Sequence, residues 1–491
     1  MNIRQQIHIA FVLLLFAGLA CTIRMPSNMA QYSTPVPPPP PAPPIIQSTS
    51  DAIIANSVIT DAQVITAPQV IEPVPLPTNA AAELPESAAV DQQPHGTLLK
   101  DLAFVATFSV EDVNRLQAEF YPASNQIPAQ YAVDKIRFHF KSRNEMGHWN
   151  TIRAEMFIPK LTAPAELPLF VYGAGTTGIG NLCAPLDEEL RGRNWGQYQH
   201  HLISYAAQGF ITVMPHWQGY DDQTRRHNYF IASLEATTLL DATRAAYEIF
   251  NSNVASNIPA RPAQAVFYGG YSQGGHGAFA ALDVASRYAP EISIRGIVGH
   301  ATAPSVEALL RERPQLAPYI IYSFQNYYGG DVIDPNDVFL SKWLPTFYDD
   351  ASTKCVDEAY QYYPENGKMV YDPGFFDALY GGRLAETFPA LAEALEINYV
   401  GASPNVEVPV VLFHGAADNI VTPQTHDNFV GRLCNGVKNV NYKLYTDIGH
   451  FQTRQYSFVD SVTWMRNVYN GQPPESQCAE FFTSQFDDSN N

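Results

Sequence analysis

A serine flanked by glycines is the residue of this sequence best placed for nucleophilic chemistry. Ser272 is the centre of a Gly-x-Ser-x-Gly pentapeptide that begins at Gly270 and ends at Gly274. The pentapeptide follows the apolar run 265–268 and precedes an alanine-rich helical pattern, so we expect a tight turn between a strand and a helix. Glycines are needed at such a turn because Cβ atoms would collide there, and the turn lifts the serine hydroxyl above the sheet. We therefore predict that Ser272 is a nucleophile.

A carboxylate and a histidine supply the other two groups that a nucleophilic serine needs. A serine hydroxyl reacts poorly until a base removes its proton. The predicted strand 408–413 is followed by Asp418, and the next predicted strand leads to His450. The chain order serine, aspartate, histidine is that of the α/β-hydrolases. We predict that His450 acts as general base and then acid, and that Asp418 orients the imidazole and stabilises its charged form.

Two other residues compete for these roles. Asp447 lies three residues before His450 and is an alternative acid, although Asp418 has the better position at a strand end. His276 lies four residues after Ser272 on the same predicted helix, beneath the turn. We interpret His276 as a packing or hydrogen-bonding residue.

Backbone donors for an oxyanion are predicted in two places. Each donor to the oxyanion of a tetrahedral intermediate is worth roughly 10²- to 10³-fold in rate. The N–H of Gln273, directly after the nucleophile, is one candidate. Gly175 and Thr176 are the others, because they lie in the glycine-rich loop after the predicted strand 169–172. This loop lacks the Lys and Ser/Thr ending of a phosphate-binding loop.

Short β-rich runs alternate with helical patterns from about residue 96 onward. This alternation predicts an α/β fold with a mostly parallel central sheet flanked by helices. The clearest helix is 233–250, and Ser233 could cap its start. The predicted strands are 135–140, 152–158, 169–172, 210–214, 265–268, 294–298, 408–413 and 441–445.

One long interval interrupts the alternation. Roughly a hundred residues separate the predicted strand 294–298 from the next predicted strand, 408–413, whereas connections usually have about 2 to 6 residues. We predict an inserted cap or lid at 301–405, and we assign 96–300 and 406–491 to the core. The aromatic residues of the insert could line an acyl pocket, or they could form the cap's own core. They include Tyr327, Tyr328, Phe339, Trp343, Phe347, Tyr362, Phe375, Phe376 and Tyr380.

The N-terminal residues predict export. Residues 1–20 form a signal-peptide pattern, with an apolar stretch too short to span a bilayer. Cleavage before Cys21 would give either a secreted protein or a lipoprotein acylated at Cys21, although Gly18 stands where a lipobox usually has leucine. Residues 21–95 are rich in proline and alanine, which predicts a disordered linker or tether.

The overall charge and the cysteine content limit the partners and cofactors. A net charge of −19 without a Lys/Arg cluster excludes nucleic acid as a partner, and an uncharged or apolar substrate fits better. Attachment to a membrane is expected only through an acylated Cys21. The wide spacing of the other cysteines contains no CxxC pair, which argues against a zinc or redox site. The sequence predicts neither a metal nor an organic cofactor.

Four cysteines remain in the predicted exported part, and export permits them to pair. They are Cys183, Cys355, Cys434 and Cys478. Four cysteines allow three pairings, and their spacing does not select among the three.

Several longer stretches resemble the secretory lipase family of the α/β-hydrolase fold. They are GAGTTGIGNLCAPLDEE from Gly173, MPHWQGYDD from Met214, YSQGGHGA from Tyr271, HGAADNIVTP from His414 and GHF from Gly449. The resemblance implies a mostly helical cap inserted before the acid-bearing strand. It also implies the disulfide pairs Cys183–Cys355 and Cys434–Cys478.

The sequence also departs from the family pattern. Leu186 replaces the serine that usually follows CAP, and His216 and Trp217 occupy a place where the family often has Asp and Tyr. These changes leave the predicted triad intact and bear on substrate preference.

We interpret the chain as a serine ester hydrolase that forms an acyl intermediate on Ser272. Lipids or other acyl esters are the expected substrates, and the aromatic insert favours medium or long acyl chains. Lipase and esterase activity both stay open. A serine peptidase of the same fold and a non-catalytic, surface-displayed binding protein are the alternatives.

Overall fold

The structure is a computed structural model that describes residues 96–99, 102–143, 149–222, 224–252, 255, 257–403 and 406–482. The predicted signal peptide, the linker 21–95 and Cys21 lie outside the described residues. All described residues belong to one unit, Val70–Asn491. None of the described helices is long and apolar enough to cross a bilayer.

A mixed sheet of nine strands organises the described residues. Its order is β1-β2-β3-β5-β4-β7-β8-β9-β10. The pairs from β1 through β5 along this order are antiparallel, and all later pairs are parallel. The nine strands of the sheet are β1 Ala103–Phe108, β2 Val133–Arg143, β3 Trp149–Pro159, β4 Ala165–Gly173, β5 Ile211–Pro215, β7 Ala260–Tyr271, β8 Ile294–His300, β9 Val410–Gly415 and β10 Val440–Tyr445. A further strand, β6 Gln218–Asp221, does not belong to this order.

Helices connect the strands and cover both faces of the sheet. They are α1 Val110–Phe120, α2 Tyr198–Ala206, α3 Ala232–Asn251, α4 Gln273–Tyr288, α5 Val306–Glu312, α6 Ala317–Tyr328, α7 Pro335–Val338, α8 Phe347–Thr353, α9 Val356–Tyr362, α10 Pro373–Tyr380, α11 Leu384–Thr387, α12 Pro389–Ile397, α13 Pro423–Cys434 and α14 Thr453–Tyr469. The predicted mostly parallel sheet with flanking helices is confirmed, and every predicted strand corresponds to a strand of the sheet.

The two faces of the sheet bury separate apolar layers. On one face, α3, α4 and α13 pack through residues such as Leu239, Phe279 and Phe429. On the other face, α1, α2 and α14 contribute residues such as Tyr205 and Phe458. The central strands β5 and β9 are buried along their whole length, as expected for parallel strands covered on both sides.

The start of α3 differs from the prediction. The helix begins at Ala232, and its N-cap residue is Ile231, so Ser233 does not cap it. The Ala232 N–H donates instead to the Asn398 side-chain oxygen at 2.8 Å. The prediction was wrong because the capping group comes from a residue 166 positions away, which no local pattern reveals.

The long interval between β8 and β9 is mostly helical and contains α5 to α12. It has its own apolar cluster, in which Phe339, Phe347 and Phe375 are buried. These aromatic side chains therefore form part of the segment's own core. Ile420 and Val421 from the loop after β9 belong to the same cluster, so the segment packs directly against that loop.

Two disulfides are present among the described residues. Cys183, after the β4 loop, bonds to Cys355 at the N-cap of α9. Cys434, at the end of α13, bonds to Cys478. These are the two pairs that the resemblance implies.

The second disulfide closes a loop around the sheet edge at β10. The segment at Cys478 lies along β10, where the Gln477 N–H donates to the Val440 carbonyl at 2.9 Å. We expect the double variant Cys434→Ser/Cys478→Ser to lose about 2–4 kcal/mol of unfolding free energy, because the cross-link restricts a loop of 44 residues in the unfolded chain. Urea unfolding of both proteins measures this difference, and coincident midpoints would contradict it.

Candidate active site

Ser272 occupies a strained turn between β7 and α4. Its φ of 54° and ψ of −113° lie in a region that non-glycine residues rarely adopt, at a cost of about 1–3 kcal/mol. Backbone hydrogen bonds hold this conformation. The Ser272 N–H donates to the His300 carbonyl at 2.9 Å, and the Ser272 carbonyl accepts from the N–H groups of His276 and Ala303, each at 3.2 Å. The predicted turn is therefore present, with Ser272 at its apex.

Three glycines allow the backbones around this turn to approach. A Cβ on Gly270 would lie 2.1 Å from the Gly274 carbonyl carbon, and a Cβ on Gly274 would lie 1.8 Å from the Gly173 oxygen. A Cβ on Gly173 would lie 2.7 Å from the Gly274 Cα. Real Cβ contacts are essentially never this short, so the end of β4, the end of β7 and the start of α4 meet only because these positions have no side chain.

Parallel pairing of neighbouring strands brings the predicted triad residues to one edge of the sheet. Strands β7, β8, β9 and β10 are adjacent and parallel, so the loops after them share that edge. Asp418 follows β9 and His450 follows β10, and His450 Nδ1 lies 2.7 Å from Asp418 Oδ2. The ring of Tyr271, the neighbour of Ser272, lies 5.0 Å from the His450 ring. All three triad candidates are buried.

Asp418 has the environment of an ionised carboxylate. Its Oδ1 accepts the N–H groups of Ile420 at 2.8 Å and Val421 at 2.9 Å, and its Oδ2 faces His450. Burial alone would raise the pKa of Asp418. The charge and hydrogen bond of His450, with a smaller contribution from the Val421 N–H, hold this pKa below its ordinary value.

The neighbouring His414 is kept neutral. Burial lowers the pKa of His414 to about 3. Its Nε2 lies 3.0 Å from the Val421 carbonyl, which can only accept a proton, so Nε2 is the protonated nitrogen. His414 therefore supports the loop that holds Asp418.

Asp447 and His276, the two competing residues, lie in environments that differ from those of Asp418 and His450. Asp447 is exposed and has a φ of 60°, whereas Asp418 contacts His450. His276 is fully buried beneath the turn, with Nδ1 2.6 Å from a Glu235 carboxylate oxygen and Nε2 2.7 Å from the Asn398 carbonyl. Both ring nitrogens are thus engaged in structural hydrogen bonds.

The candidate oxyanion donors differ in the availability of their N–H groups. The Gly175 N–H donates to the Tyr198 hydroxyl at 2.7 Å, so it is occupied. The N–H groups of Thr176 and Gln273 have no hydrogen-bond partner among the described residues. Gln273 is anchored through its side chain, whose amide nitrogen lies 2.8 Å from a Glu235 oxygen. The structure thus leaves two of the three predicted donors free.

Sequence reasoning missed a buried charged group beside these residues. Arg454 lies in the first turn of α14, four residues after His450. Its guanidinium lies 4.1 Å from the centre of the Tyr271 ring and donates to the Gly196 carbonyl at 2.7 Å. Glu188 is also buried, and burial raises its pKa to about 7 although backbone N–H groups and Arg454 oppose this shift. The separation of Arg454 from His450 by four residues was the only available signal, and charged residues at that spacing are common on exposed helices.

Comparison with known proteins identifies the family of the chain. A family model described as secretory lipase matches residues 195–477, more than half of the chain. The chain belongs to the secretory lipase family. A comparison with curated protein sequences gives no significant match.

Two solved structures of other proteins share the fold. The rice cell wall degrading esterase LipA from Xanthomonas oryzae has a TM-score of 0.62 and 17% identity, over 77% of this chain and 100% of that chain. Candida antarctica lipase A in its closed state has a TM-score of 0.56 and 19% identity, over 78% of this chain and 84% of that chain. The α/β-hydrolase fold is therefore confirmed.

Two of the departures of this chain from the family pattern contact each other. His216 Nε2 accepts the Leu186 N–H at 3.1 Å, and His216 Nδ1 lies 2.7 Å from the Asp221 carboxylate. Trp217 Nε1 donates to the Ala174 carbonyl at 3.1 Å. His216 and Trp217 thus form hydrogen bonds with residues of the segment that follows β4.

Two glycines, one tightly packed and one facing open space, provide a test of the turn. We expect Gly274→Ala to lower the unfolding free energy by about 1–3 kcal/mol or more, because its Cβ would overlap the backbone at Gly173. Gly330→Ala is the matched control, since a Cβ there meets nothing within 4 Å, and its effect should stay within about 0.5 kcal/mol. Thermal and urea unfolding compare the two, and equal stabilities would contradict the packing argument.

Proposed function

We propose that this protein hydrolyses carboxylic esters through an acyl intermediate on Ser272. The observation that carries the proposal is the buried contact between His450 Nδ1 and Asp418 Oδ2 at the same sheet edge as the strained turn of Ser272. Membership in the secretory lipase family supports ester hydrolysis independently.

The contact with Asp418 explains how His450 would work. Because the carboxylate accepts the Nδ1 proton, the lone pair of a neutral imidazole is on Nε2, which can take the proton of the Ser272 hydroxyl. The serine oxygen then bonds to the acyl carbon and the carbonyl oxygen becomes an oxyanion. As the ester bond breaks, the imidazolium returns the proton to the leaving alcohol.

Deacylation repeats the same steps with water. His450 removes a proton from the water, the hydroxide oxygen bonds to the acyl carbon, and the proton returns to Ser272 as the acid leaves. We assign the free N–H groups of Gln273 and Thr176 as the donors to the oxyanion in both halves of the reaction. Gly175 is left out of this assignment because its N–H is occupied by Tyr198.

An apolar acyl group is the substrate that the surroundings of the site favour. Phe451, next to His450, is 51% exposed, and its ring lies 5.8 Å from the His450 ring. The helical segment between β8 and β9 packs against the loop that carries Asp418, which supports its role as a cap. LipA from Xanthomonas oryzae is described as an esterase and the Candida antarctica protein as a lipase, so both ester classes belong in the assay.

Export is part of the same proposal. The family and the two disulfides support export, because disulfides persist in oxidising compartments. Residues 1–20 are proposed as a cleaved signal peptide, and Cys21 as a candidate site of acylation.

The first test compares the purified protein with Ser272→Ala on p-nitrophenyl esters from C2 to C16. We expect Ser272→Ala to lose roughly 10³-fold or more in kcat/KM on every ester, because no acyl intermediate can form. The native protein should prefer medium or long chains. Equal activity of the two proteins would overturn the assignment of Ser272. Cleavage of the matching anilides without an ester preference would favour a peptidase.

A second test separates the two candidate acids. We expect Asp418→Asn to lower kcat by roughly 10³- to 10⁴-fold, because the asparagine amide favours the wrong imidazole tautomer. Asp447→Asn is the matched control, and it should leave kcat within about twofold, since Asp447 is exposed. The assay is the same ester hydrolysis, and the reverse ranking of the two variants would assign the acid to Asp447.

A further inference from the structure

Neighbouring residues fix the loop after β4 on both sides of the Thr176 N–H. The Gly175 N–H donates to the Tyr198 hydroxyl at 2.7 Å. The Thr176 hydroxyl lies 2.6 Å from the Tyr229 hydroxyl, and the Thr177 carbonyl accepts the Val356 N–H at 2.9 Å. The N–H groups of Thr176 and Thr177 have no partner among the described residues, and that of Thr176 directly follows the held Gly175 N–H.

A buried carboxylate places Tyr198 at the start of α2. Glu188 accepts the N–H groups of Gly196 at 2.9 Å and Gln197 at 3.1 Å, and it also accepts the N–H of Tyr198. These groups belong to the helix N-terminus, where a negative charge is favourable. Gln197 has a φ of 46°, and a Cβ on Gly196 would lie 2.2 Å from the Tyr198 ring. The Tyr198 ring therefore packs against the backbone of Gly196, in space that a side chain at position 196 would occupy.

Arg454 connects the same turn to the helix that follows His450. It donates to the Gly196 carbonyl at 2.7 Å, and its guanidinium lies 5.4 Å from the Tyr198 ring and 4.1 Å from the Tyr271 ring. Arg454 also balances the buried charge of Glu188. The two halves of the site, the loop after β4 and the loop with His450, are thus joined through Tyr198 and its neighbours.

We propose that Tyr198 is a positioning residue for the oxyanion donor of this enzyme. Its hydroxyl occupies the Gly175 N–H and holds the next peptide group so that the Thr176 N–H faces the reacting centre. Tyr198 does not itself contact the substrate. This inference rests on the proposed ester hydrolysis and deepens it.

The physical reason is the strict geometry of an oxyanion donor. Without the Tyr198 hydroxyl, the buried Gly175 N–H loses its acceptor, and the loop relaxes to find another. Such a shift moves the Thr176 N–H away from the oxyanion, which exists only in the transition state and the intermediate. The loss therefore falls on kcat more than on KM.

The experiment compares Tyr198→Phe with Tyr172→Phe. Both tyrosines are buried in the same layer, at 2% and 0% exposed, but the Tyr172 hydroxyl accepts no backbone N–H among the described residues. We expect Tyr198→Phe to lower kcat on a p-nitrophenyl ester by roughly 10- to 100-fold with KM nearly unchanged, as one donor is displaced. Tyr172→Phe should keep kcat within about threefold of the native value.

An alkylboronic acid gives a second readout, because it forms a tetrahedral adduct with a nucleophilic serine. Its inhibition constant should rise for Tyr198→Phe by about the same factor as kcat/KM falls, and should not rise for Tyr172→Phe. Equal kcat and equal inhibition constants in the two variants would overturn the inference. So would a loss confined to KM.

Folding and the proposed function have separate controls. Thermal unfolding of both variants shows whether the ring still packs. If Tyr198→Phe does not fold, Glu188→Gln tests the same chain of contacts, with a kcat decrease expected and an unchanged kcat overturning the inference. An active Ser272→Ala would refute the proposed function, whereas an inactive Ser272→Ala with a fully active Tyr198→Phe would refute only the role of Tyr198.

Discussion

The backbone contact between the end of β4 and the start of α4 is the constraint on which the active site depends. Gly173 and Gly274 approach so closely that neither position accepts a Cβ. This contact holds the turn of Ser272 in a conformation that an isolated peptide would avoid. It also sets the distance between that turn and the loop with Thr176. The nucleophile and the candidate oxyanion donors therefore take their relative positions from one packing contact.

Buried charges form the second layer of the site. Asp418 and His450 are in direct contact, and Glu188 and Arg454 influence each other electrostatically near the Tyr271 ring. An isolated buried charge is costly, whereas a hydrogen-bonded and paired charge is tolerated. In both pairs, backbone N–H groups satisfy the carboxylate oxygens as well. This arrangement orients the side chains and leaves few alternative positions for them.

The segment between β8 and β9 is tied to both loops of the site. Its Val356 N–H donates to Thr177 beside the disulfide of Cys183 and Cys355, and its Glu312 carboxylate accepts the Thr422 N–H at 3.0 Å. Several of its aromatic residues form its own core, so the segment is a folded unit that contacts both of these loops. A change in its position would act on the donor loop and on the Asp418 loop together.

Sequence patterns alone determined the positions of eight strands along the chain, the turn at Ser272 and the position of Asp418 and His450 after consecutive strands. Apolar runs and glycine spacing are short-range patterns, and the order of serine, aspartate and histidine is read directly along the chain. The short edge strand β1 and the strand β6 were not predicted; Phe104 of β1 is 64% exposed, so no buried pattern marks that strand.

Only the tertiary structure decided which residues support the site. It showed that Asn398 rather than Ser233 caps α3, that Tyr198 occupies the Gly175 N–H, and that Arg454 lies against Tyr271. Each of these contacts joins segments far apart in the chain, or depends on how a helix is rotated against the sheet. Partners of this kind are selected by packing in three dimensions, which residue type and spacing do not record.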